Sequence, residues 1–345
     1  IDANGANINL DYGLNTTRVP AGTTVTIRNA VVKGQSYGNG VDGTVIFEGC
    51  SFNAGVYSIH FDNGSGKVIF KNCDLYGWNS FGASLTSVEF ENCSLNGNGS
   101  YALIRSYVNL TLTNCVINTS NANHNDAYPE GVQVVNSATL TENNVTYIAE
   151  NLEALKDAVT EENATVNVAA GDYTFPSSVA AGVTIKCEEG TVFTGTSGLN
   201  INGATVIGAE FKNESGVAVS GTINGTFKNC TFTGSEALRW CYSDAGKTNV
   251  FENCVINTDF RGFHFDGMEG DVIFRNCEIN GFNAYGGEGT ATFEGCTFGC
   301  DQSAYNGLNI YSNTNLINCT FNFVSGKTNF IDMEGTGKTL KITNC

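Results

Sequence analysis

A short motif that recurs about every 22 residues constrains the fold of this chain more than any other feature. The motif reads aromatic, polar, Asn or Gly, Cys, polar, apolar, and its copies are FEGCSF (47–52), FKNCDL (70–75), FENCSL (90–95), FKNCTF (227–232), FENCVI (251–256), FRNCEI (274–279) and FEGCTF (293–298). Looser copies are LTNCVI (112–117), LINCTF (316–321) and the terminal ITNC (342–345). A regular period of this length is typical of a solenoid, in which each repeat buries its apolar face against its neighbours.

The order of residues within one motif predicts strands rather than helices. Around Cys93, apolar and polar residues alternate on both sides of the pair Glu91–Asn92, which breaks the alternation. Two short strands that meet at a corner fit this pattern, because side chains alternate between the two faces of a strand. We therefore expect Phe90, Cys93 and Leu95 to be buried. Asn at the corner tolerates the left-handed backbone that the bend requires, and Gly replaces it in some copies.

This pattern resembles the right-handed parallel β-helix proteins of the pectin-lyase-like superfamily, most closely their uncharacterised bacterial surface or adhesin-like members. The resemblance covers nearly the whole chain. It implies an all-β, right-handed parallel β-helix solenoid with three strands per coil and a ladder of stacked Asn side chains at one corner. It says little about function, because the superfamily includes lyases, hydrolases, phage tailspikes and surface adhesins.

The chain is also an internal duplication interrupted by one helical segment. VIFEGCSF to VIFKNCDL (45–75) runs parallel to NVFENCVI to VIFRNCEI (249–279). Between the copies, ENLEALKDAV (150–159) has apolar residues at helical spacing, with Asn151 available as N-cap. We predict a first β-helix at 1–146 and a second at 147–345 that begins with this capping helix near 150–160. A linker helix is the alternative.

Composition and charge limit the classes of partner. The chain has 345 residues, 41% of them hydrophobic, with a formal net charge of −17 and a sequence pI near 4.5. Such a surface repels nucleic acid and anionic membranes, so we expect neither as a partner, and no stretch is apolar enough for membrane insertion. The chain opens on Ile1, which we take to indicate a processed product or a trimmed chain. Neutral glycans, cations and basic partners remain compatible with this charge.

The thirteen cysteines suggest packing more than chemistry. No CxxC pair occurs, so a zinc site is not expected. Cysteines in adjacent coils would have Cβ atoms about 4.8 Å apart, whereas a disulfide prefers about 3.5–4.5 Å. We therefore expect mostly unpaired, buried thiols, because Ala30 and Ala209 occupy the same place in other coils. Cys241 is the exception, and we expect it to point outward.

Two of the three histidines occupy equivalent places in the duplication. SIHFD (58–62) matches GFHFD (262–266), so that His264 and Asp266 share the outer face of one strand if Phe265 faces the core, as do His60 and Asp62. These pairs are candidates for polar binding or acid–base chemistry. The alternative is a solvated His–Asp surface pair that the duplication preserved.

Counting back from each cysteine predicts which side chains line the outer face of the second copy. One column contains Cys241, His264, Asn283, Asn309 and Asp332, and the next contains Ser243, Asp266, Tyr285, Tyr311 and Glu334. Arg239 can approach His264 from the preceding coil. Exposed Tyr, Asn and Asp suit sugar recognition, in which an aromatic ring packs on the apolar face of the sugar. The first copy offers Leu103 and Arg105 in place of these tyrosines.

Hydrolase and lyase chemistry find less support in the sequence. A glycosidase needs two carboxylates about 5–10 Å apart, but Asp266 and Glu334 would lie three coils, or roughly 14 Å, apart. Loop acids such as Asp259 could supply a second carboxylate. No acidic cluster for a lyase calcium ion accompanies Arg239. His124, Asp126 and Glu130, in the segment 121–131, could bind a cation, although a solvated loop is the simpler interpretation, so we expect no cofactor and keep Ca²⁺ as the alternative.

The sequence therefore predicts a non-catalytic, secreted or cell-surface bacterial β-helix protein that acts as an adhesin-like rod or as a glycan-binding module. We expect a monomer whose partner is a glycan or a host or cell-surface polysaccharide. The alternative is a polysaccharide lyase or glycoside hydrolase that acts on an acidic, plant or host polysaccharide.

Overall fold

The chain folds as an all-β parallel β-solenoid of about 12 turns with about 22 residues per turn and almost no helix, as predicted. The computed structural model describes residues 2–3, 7–9, 19–33, 36–97, 102–119, 131–160, 162–194, 198–299, 307–322 and 330–345. Residue contacts divide the chain into two compact units, Ile1–Ala158 and Val159–Cys345. They are called the first and second unit below.

The first unit contains sixteen described strands and one helix. The strands are β1 (Asn7–Asn9), β2 (Thr24–Arg28), β3 (Val31–Lys33), β4 (Ser36–Asn39), β5 (Thr44–Glu48), β6 (Ser51–Asn63), β7 (Lys67–Lys71), β8 (Asp74–Phe81), β9 (Ser87–Glu91), β10 (Ser94–Asn96), β11 (Ile104–Ser106), β12 (Leu110–Thr113), β13 (Val116–Asn118), β14 (Val132–Val134), β15 (Leu140–Asn143) and β16 (Thr146–Ala149). The helix α1 (Leu152–Ala158) packs against β16. This is the helix that the sequence predicts near 150–160; its assignment to a second domain that begins at residue 147 stays a prediction.

The second unit consists of strands in its described part. They are β17 (Thr165–Val168), β18 (Gly171–Thr174), β19 (Thr184–Cys187), β20 (Thr191–Thr194), β21 (Thr205–Ile207), β22 (Glu210–Thr222), β23 (Thr226–Lys228), β24 (Thr231–Tyr242), β25 (Thr248–Glu252), β26 (Val255–Met268), β27 (Asp271–Arg275), β28 (Glu278–Asn280), β29 (Phe282–Glu294), β30 (Thr297–Gly299), β31 (Leu308–Ile317), β32 (Thr320–Asn322), β33 (Ile331–Met333) and β34 (Leu340–Thr343).

Each strand pairs in parallel with the corresponding strand of the next coil, so that identical motif positions stack. In the second unit Phe251 pairs with Phe274, and Phe274 pairs with Phe293. Their rings stack with centroids 4.7 Å and 5.0 Å apart. Each such pair contributes about 0.5–1.5 kcal/mol beyond the area that it buries. Phe90, Cys93 and Leu95 are buried as predicted.

The Asn corner of the motif is confirmed. Asn72, Asn92 and Asn114 have positive φ angles of 52°, 53° and 51°, which Asn tolerates better than other residues with a side chain. Their amides form a ladder, in which Asn114 donates to Asn92 Oδ1 at 3.2 Å and Asn92 donates to Asn72 Oδ1 at 3.3 Å. The second unit repeats the ladder, since Asn253 Nδ2 donates to Asn229 Oδ1 at 3.3 Å. Where the corner residue is Asn, its side chain thus ties the bend to that of the neighbouring coil.

The cysteines of the motif are buried except the terminal Cys345, which is exposed, and those in the described part of the chain form no disulfide. Their thiols donate to a backbone carbonyl of the preceding coil, as in Cys254 Sγ to Phe227 O at 3.5 Å. The prediction that Cys241 points outward is wrong, because its side chain is buried. The backbone of the preceding residue, Trp240, is left-handed with a φ of 52°. This irregularity places two consecutive side chains, Arg239 and Trp240, toward the outside and turns Cys241 inward.

Candidate functional site

The strand pairing of the second unit defines the outer column around His264. Its members in register are Arg239, His264, Ala284, Asn309 and Asp332. The predicted proximity of His264 to Arg239 is confirmed. Arg239 and Ala284 occupy the places that the sequence predicted for Cys241 and Asn283. Asn283 is buried instead, and its amide donates to Gly281 O at 2.8 Å and Gly307 O at 3.1 Å.

Tyr285 does not belong to the outer face. It pairs with Phe265 and Ile310, both of which face the interior, and its side chain is only 1% exposed. The segment between Tyr285 and Cys296 is one residue shorter than the segment between Phe265 and Cys277, so counting back from the cysteine shifts the register. Burial raises the pKa of the Tyr285 phenol. Tyr285 is therefore not a surface ring for a ligand.

Two arginines of the outer face share one carboxylate. Glu236 is 9% exposed and lies beside Arg261 in the register of β24 and β26. Arg239 Nη1 donates to Glu236 Oε2 at 2.6 Å, and Arg261 Nη1 donates to Glu236 Oε1 at 3.3 Å. Hydrogen bonds between charged groups are stronger than neutral ones, and a partly buried carboxylate holds both side chains in place. Glu236 thus fixes the position of Arg239.

Arg239 in turn supports an exposed tryptophan. The Arg239 Cζ atom lies 3.9 Å from the centroid of the Trp240 ring, and Trp240 is 46% exposed. A left-handed backbone at a bulky aromatic residue costs about 1–3 kcal/mol and is found mainly where the surrounding structure enforces it. Tyr242, two residues further along β24, is also exposed. Neither ring was predicted to be exposed, although the run RWCY (239–242) with two aromatic residues was the available signal.

Tyr311 is exposed as predicted and lies among polar side chains. It is 39% exposed. Burial raises the pKa of Tyr311, the Asn309 amide opposes this rise, and Glu334 and Asp332 add to it. Asn309 Nδ2 donates to Glu334 Oε1 at 3.5 Å. An aromatic ring, an amide and two carboxylates therefore lie side by side on this surface.

The first unit has an equivalent of Tyr311 that was not among the predicted site residues. Tyr107 precedes Cys115 by as many residues as Tyr311 precedes Cys319, and Arg105 takes the place of Asn309. The Arg105 Cζ atom lies 5.0 Å from the centroid of the Tyr107 ring. The expectation that the first copy lacks such a tyrosine is wrong. Its ring is half-buried and carries a cation over it.

His60 and Asp62 differ in accessibility. His60 is 5% exposed, and its ring meets the Trp78 ring edge-on with centroids 4.7 Å apart. Burial lowers the pKa of His60, and the exposed Asp62 opposes this effect. His60 is thus a covered side chain and not a surface ligand. His264 is half-buried, with its ring centroid 6.5 Å from that of Phe282.

Several predicted residues lie outside the part of the chain whose side chains the structure describes. Asp266 and Asp259 belong to β26, but their side chains lie outside the described part. His124, Asp126 and Glu130 lie outside the described residues. Within the described part, no three His, Cys, Asp or Glu side chains come together as a metal site. No helix found in that part has the length and apolar character needed to cross a membrane.

The fold that carries this face defines a structural class. The class is the parallel β-solenoid, with an architecture consistent with a β-helix fold. Comparison with protein-family models, curated proteins and solved structures gave no match.

Proposed function

We propose that this chain is a non-catalytic, secreted or cell-surface β-helix protein of bacterial origin whose second unit binds a glycan on its outer face, as an adhesin-like protein or a glycan-binding module. The observation that carries the proposal is Trp240, an exposed ring on a strained backbone. It is supported from behind by Arg239, which Glu236 holds in place. A strained, exposed aromatic residue with a dedicated support is a feature of binding sites.

The chemistry around Trp240 suits a sugar. An aromatic ring covers the apolar face of a pyranose, and neighbouring amides, carboxylates and guanidinium groups bond its hydroxyls. Tyr242 and Tyr311 add exposed rings on the same unit, and Asn309 adds an amide. Because the polar groups are fixed by their own hydrogen bonds, little side-chain entropy is lost when a ligand binds.

A lyase or hydrolase that acts on an acidic, plant or host polysaccharide is the competing proposal. Glu236 is the buried carboxylate of this face, but both of its oxygens accept bonds from arginines. This arrangement favours a positioning role over proton transfer to a substrate. The binding proposal therefore rests on more of the described contacts than the enzymatic one.

The test is a glycan-array screen of the wild-type protein and the Trp240→Asn variant. Asn tolerates the left-handed backbone, so the substitution removes the ring while it preserves the fold. We expect a glycan bound by the wild type to bind the variant roughly fivefold to tenfold more weakly, since the stacking contribution is about 1–1.5 kcal/mol. Tyr76→Asn, which removes an exposed ring of the first unit, serves as the control and should bind normally.

A reducing-end release assay on the same glycans separates the two proposals. We expect no product from the wild-type protein. Product release that is lost in Asp266→Asn or Glu236→Gln would contradict the binding-module proposal and support the enzyme. Absence of binding to any glycan of the array would contradict the proposal as well.

A further inference from the structure

The charges beside Tyr311 are negative. Asp332 pairs with Asn309 in register, and the Glu334 amide donates to Ile310 O at 2.9 Å, which places Glu334 next to Tyr311. Lys338 lies nearby, and its ammonium group forms an ion pair with the exposed Glu288 at 3.0 Å, which adds a third carboxylate to this surface. A ligand that packs on Tyr311 therefore meets two carboxylates.

The first unit provides a matched site with the opposite charge. Arg105 pairs with Gln133 in register, as Asn309 pairs with Asp332. The Val135 amide donates to Ser106 O at 2.8 Å, as the Glu334 amide donates to Ile310 O. Around Tyr107 the equivalent side chains are thus one cation and two neutral residues. The two sites share this register, but Tyr107 lies at a bend after β11, whereas Tyr311 lies within β31, so they differ in local backbone as well as in side chains.

We infer that the Tyr311 site takes a glycan residue that carries hydroxyl groups and no negative charge, an inference that rests on the proposed glycan binding. Sugar hydroxyls donate to carboxylates in charge-assisted hydrogen bonds, which are stronger than bonds to neutral acceptors. A uronate or sulfate placed on the Tyr311 ring would lie close to Asp332 and Glu334 and be repelled by both. The carboxylates therefore favour neutral sugars and reject anionic ones.

The arginines of the same unit do not reverse this selectivity. Arg239 and Arg261 both bond Glu236, so that their charge is partly compensated before any ligand arrives. Arg239 also lies against the ring of Trp240. The Arg261 Cζ atom lies 4.8 Å from the centroid of the Phe260 ring. The carboxylates described next to Tyr311 are those of Asp332 and Glu334.

The experiment measures the affinities of neutral hexose oligomers and of uronic-acid oligomers with the same linkage and length, by calorimetry at low salt. For a linkage that the protein binds, we expect the affinity for the neutral oligomer to be at least tenfold higher than the affinity for the uronic-acid oligomer. The double variant Asp332→Asn/Glu334→Gln should reduce this preference to threefold or less. Glu188→Gln/Glu189→Gln removes the same charge from exposed residues elsewhere in the second unit and should leave the preference unchanged.

The outcomes distinguish this inference from the proposal on which it rests. Equal or tighter binding of the uronate oligomer by the wild type would overturn the charge selectivity and leave glycan binding intact. A preference for the neutral oligomer that remains at least tenfold in Asp332→Asn/Glu334→Gln would also overturn the charge selectivity. If neither oligomer of any linkage binds, glycan binding itself fails. All variants change half-buried or exposed side chains, so their thermal unfolding midpoints should match that of the wild type.

Discussion

The interiors of the two units differ at equivalent positions. Phe81 and Leu110 are buried in the first unit, whereas their equivalents in the second unit, Tyr285 and Thr314, are buried and carry hydroxyl groups. The Tyr285 hydroxyl has no hydrogen-bond partner of suitable geometry among the described residues. The nearby Ser312 hydroxyl lowers the pKa of Tyr285 against the larger effect of burial. At these two positions the first unit thus has apolar side chains, and the second unit has side chains that carry hydroxyl groups.

The comparison separates positions that define the coil from positions that are free to diverge. Both units keep the stacked Phe, the buried Cys and the corner Asn, because each determines how one coil rests on the next. Other positions differ between the two units, both in the interior and at the outer face near Trp240. A buried hydroxyl without a partner costs about 1–3 kcal/mol, so the second unit tolerates a less favourable interior at Tyr285 than the first unit has at Phe81.

The largest expected effect tests the shared positions. Cys254→Asp and Cys50→Asp, at equivalent sites, should each lower the free energy of unfolding by several kcal/mol, because each buries a carboxylate without a partner. Cys254→Ala should cost about 1 kcal/mol or less, since Ala30 and Ala209 are buried at the same place. Urea unfolding measures all three. A cost for Cys254→Ala as large as that of Cys254→Asp would contradict the role of the thiol as an apolar filler.

The next effect tests the difference between the interiors. Phe81→Tyr introduces a hydroxyl into the apolar interior of the first unit and should cost about 1–3 kcal/mol. Tyr285→Phe removes the hydroxyl in the second unit and should change stability by less than about 1 kcal/mol, or increase it. Urea unfolding of the two variants gives the comparison. Equal costs would show that the Tyr285 hydroxyl is as well bonded as an ordinary core group.

The features that could be predicted from the sequence are those fixed within one motif. The left-handed corner at Asn92 and the burial of Cys93 follow from backbone geometry and alternation over a few residues. The outer columns could not be predicted as well, because their register depends on the residues between the strand and the motif. The segment that follows Tyr285 is one residue shorter than the segment that follows Phe265, and Trp240 has a left-handed backbone. For these reasons the side chains of Tyr285 and Cys241 point inward, although both were predicted to point outward.

A smaller effect tests the two equivalent tyrosines. Tyr311→Ala should weaken glycan binding about fivefold, because a stacking ring contributes on the order of 1 kcal/mol. Tyr107→Ala and His60→Ala should not change it, since Arg105 occupies the Tyr107 ring and His60 is covered. Calorimetry with a glycan from the array measures the affinities. An equal loss in Tyr107→Ala would show that the first unit also binds.

The smallest effect concerns the pH dependence of the first unit. Burial lowers the pKa of His60 below its ordinary value of about 6.5. Below this pH the unfolded chain takes up a proton that the folded chain does not, so the stability contributed by neutral His60 is present above pH 6.5 and decreases as the pH falls. His60→Gln should therefore reduce the fall in Tm between pH 7.5 and 5.5 by about 1–2 °C. Asp62→Asn should enlarge the fall, because the Asp62 carboxylate raises the pKa of His60. Thermal denaturation at the two pH values measures both variants, and a fall in Tm that is identical in His60→Gln and the wild type would contradict the desolvation of this ring.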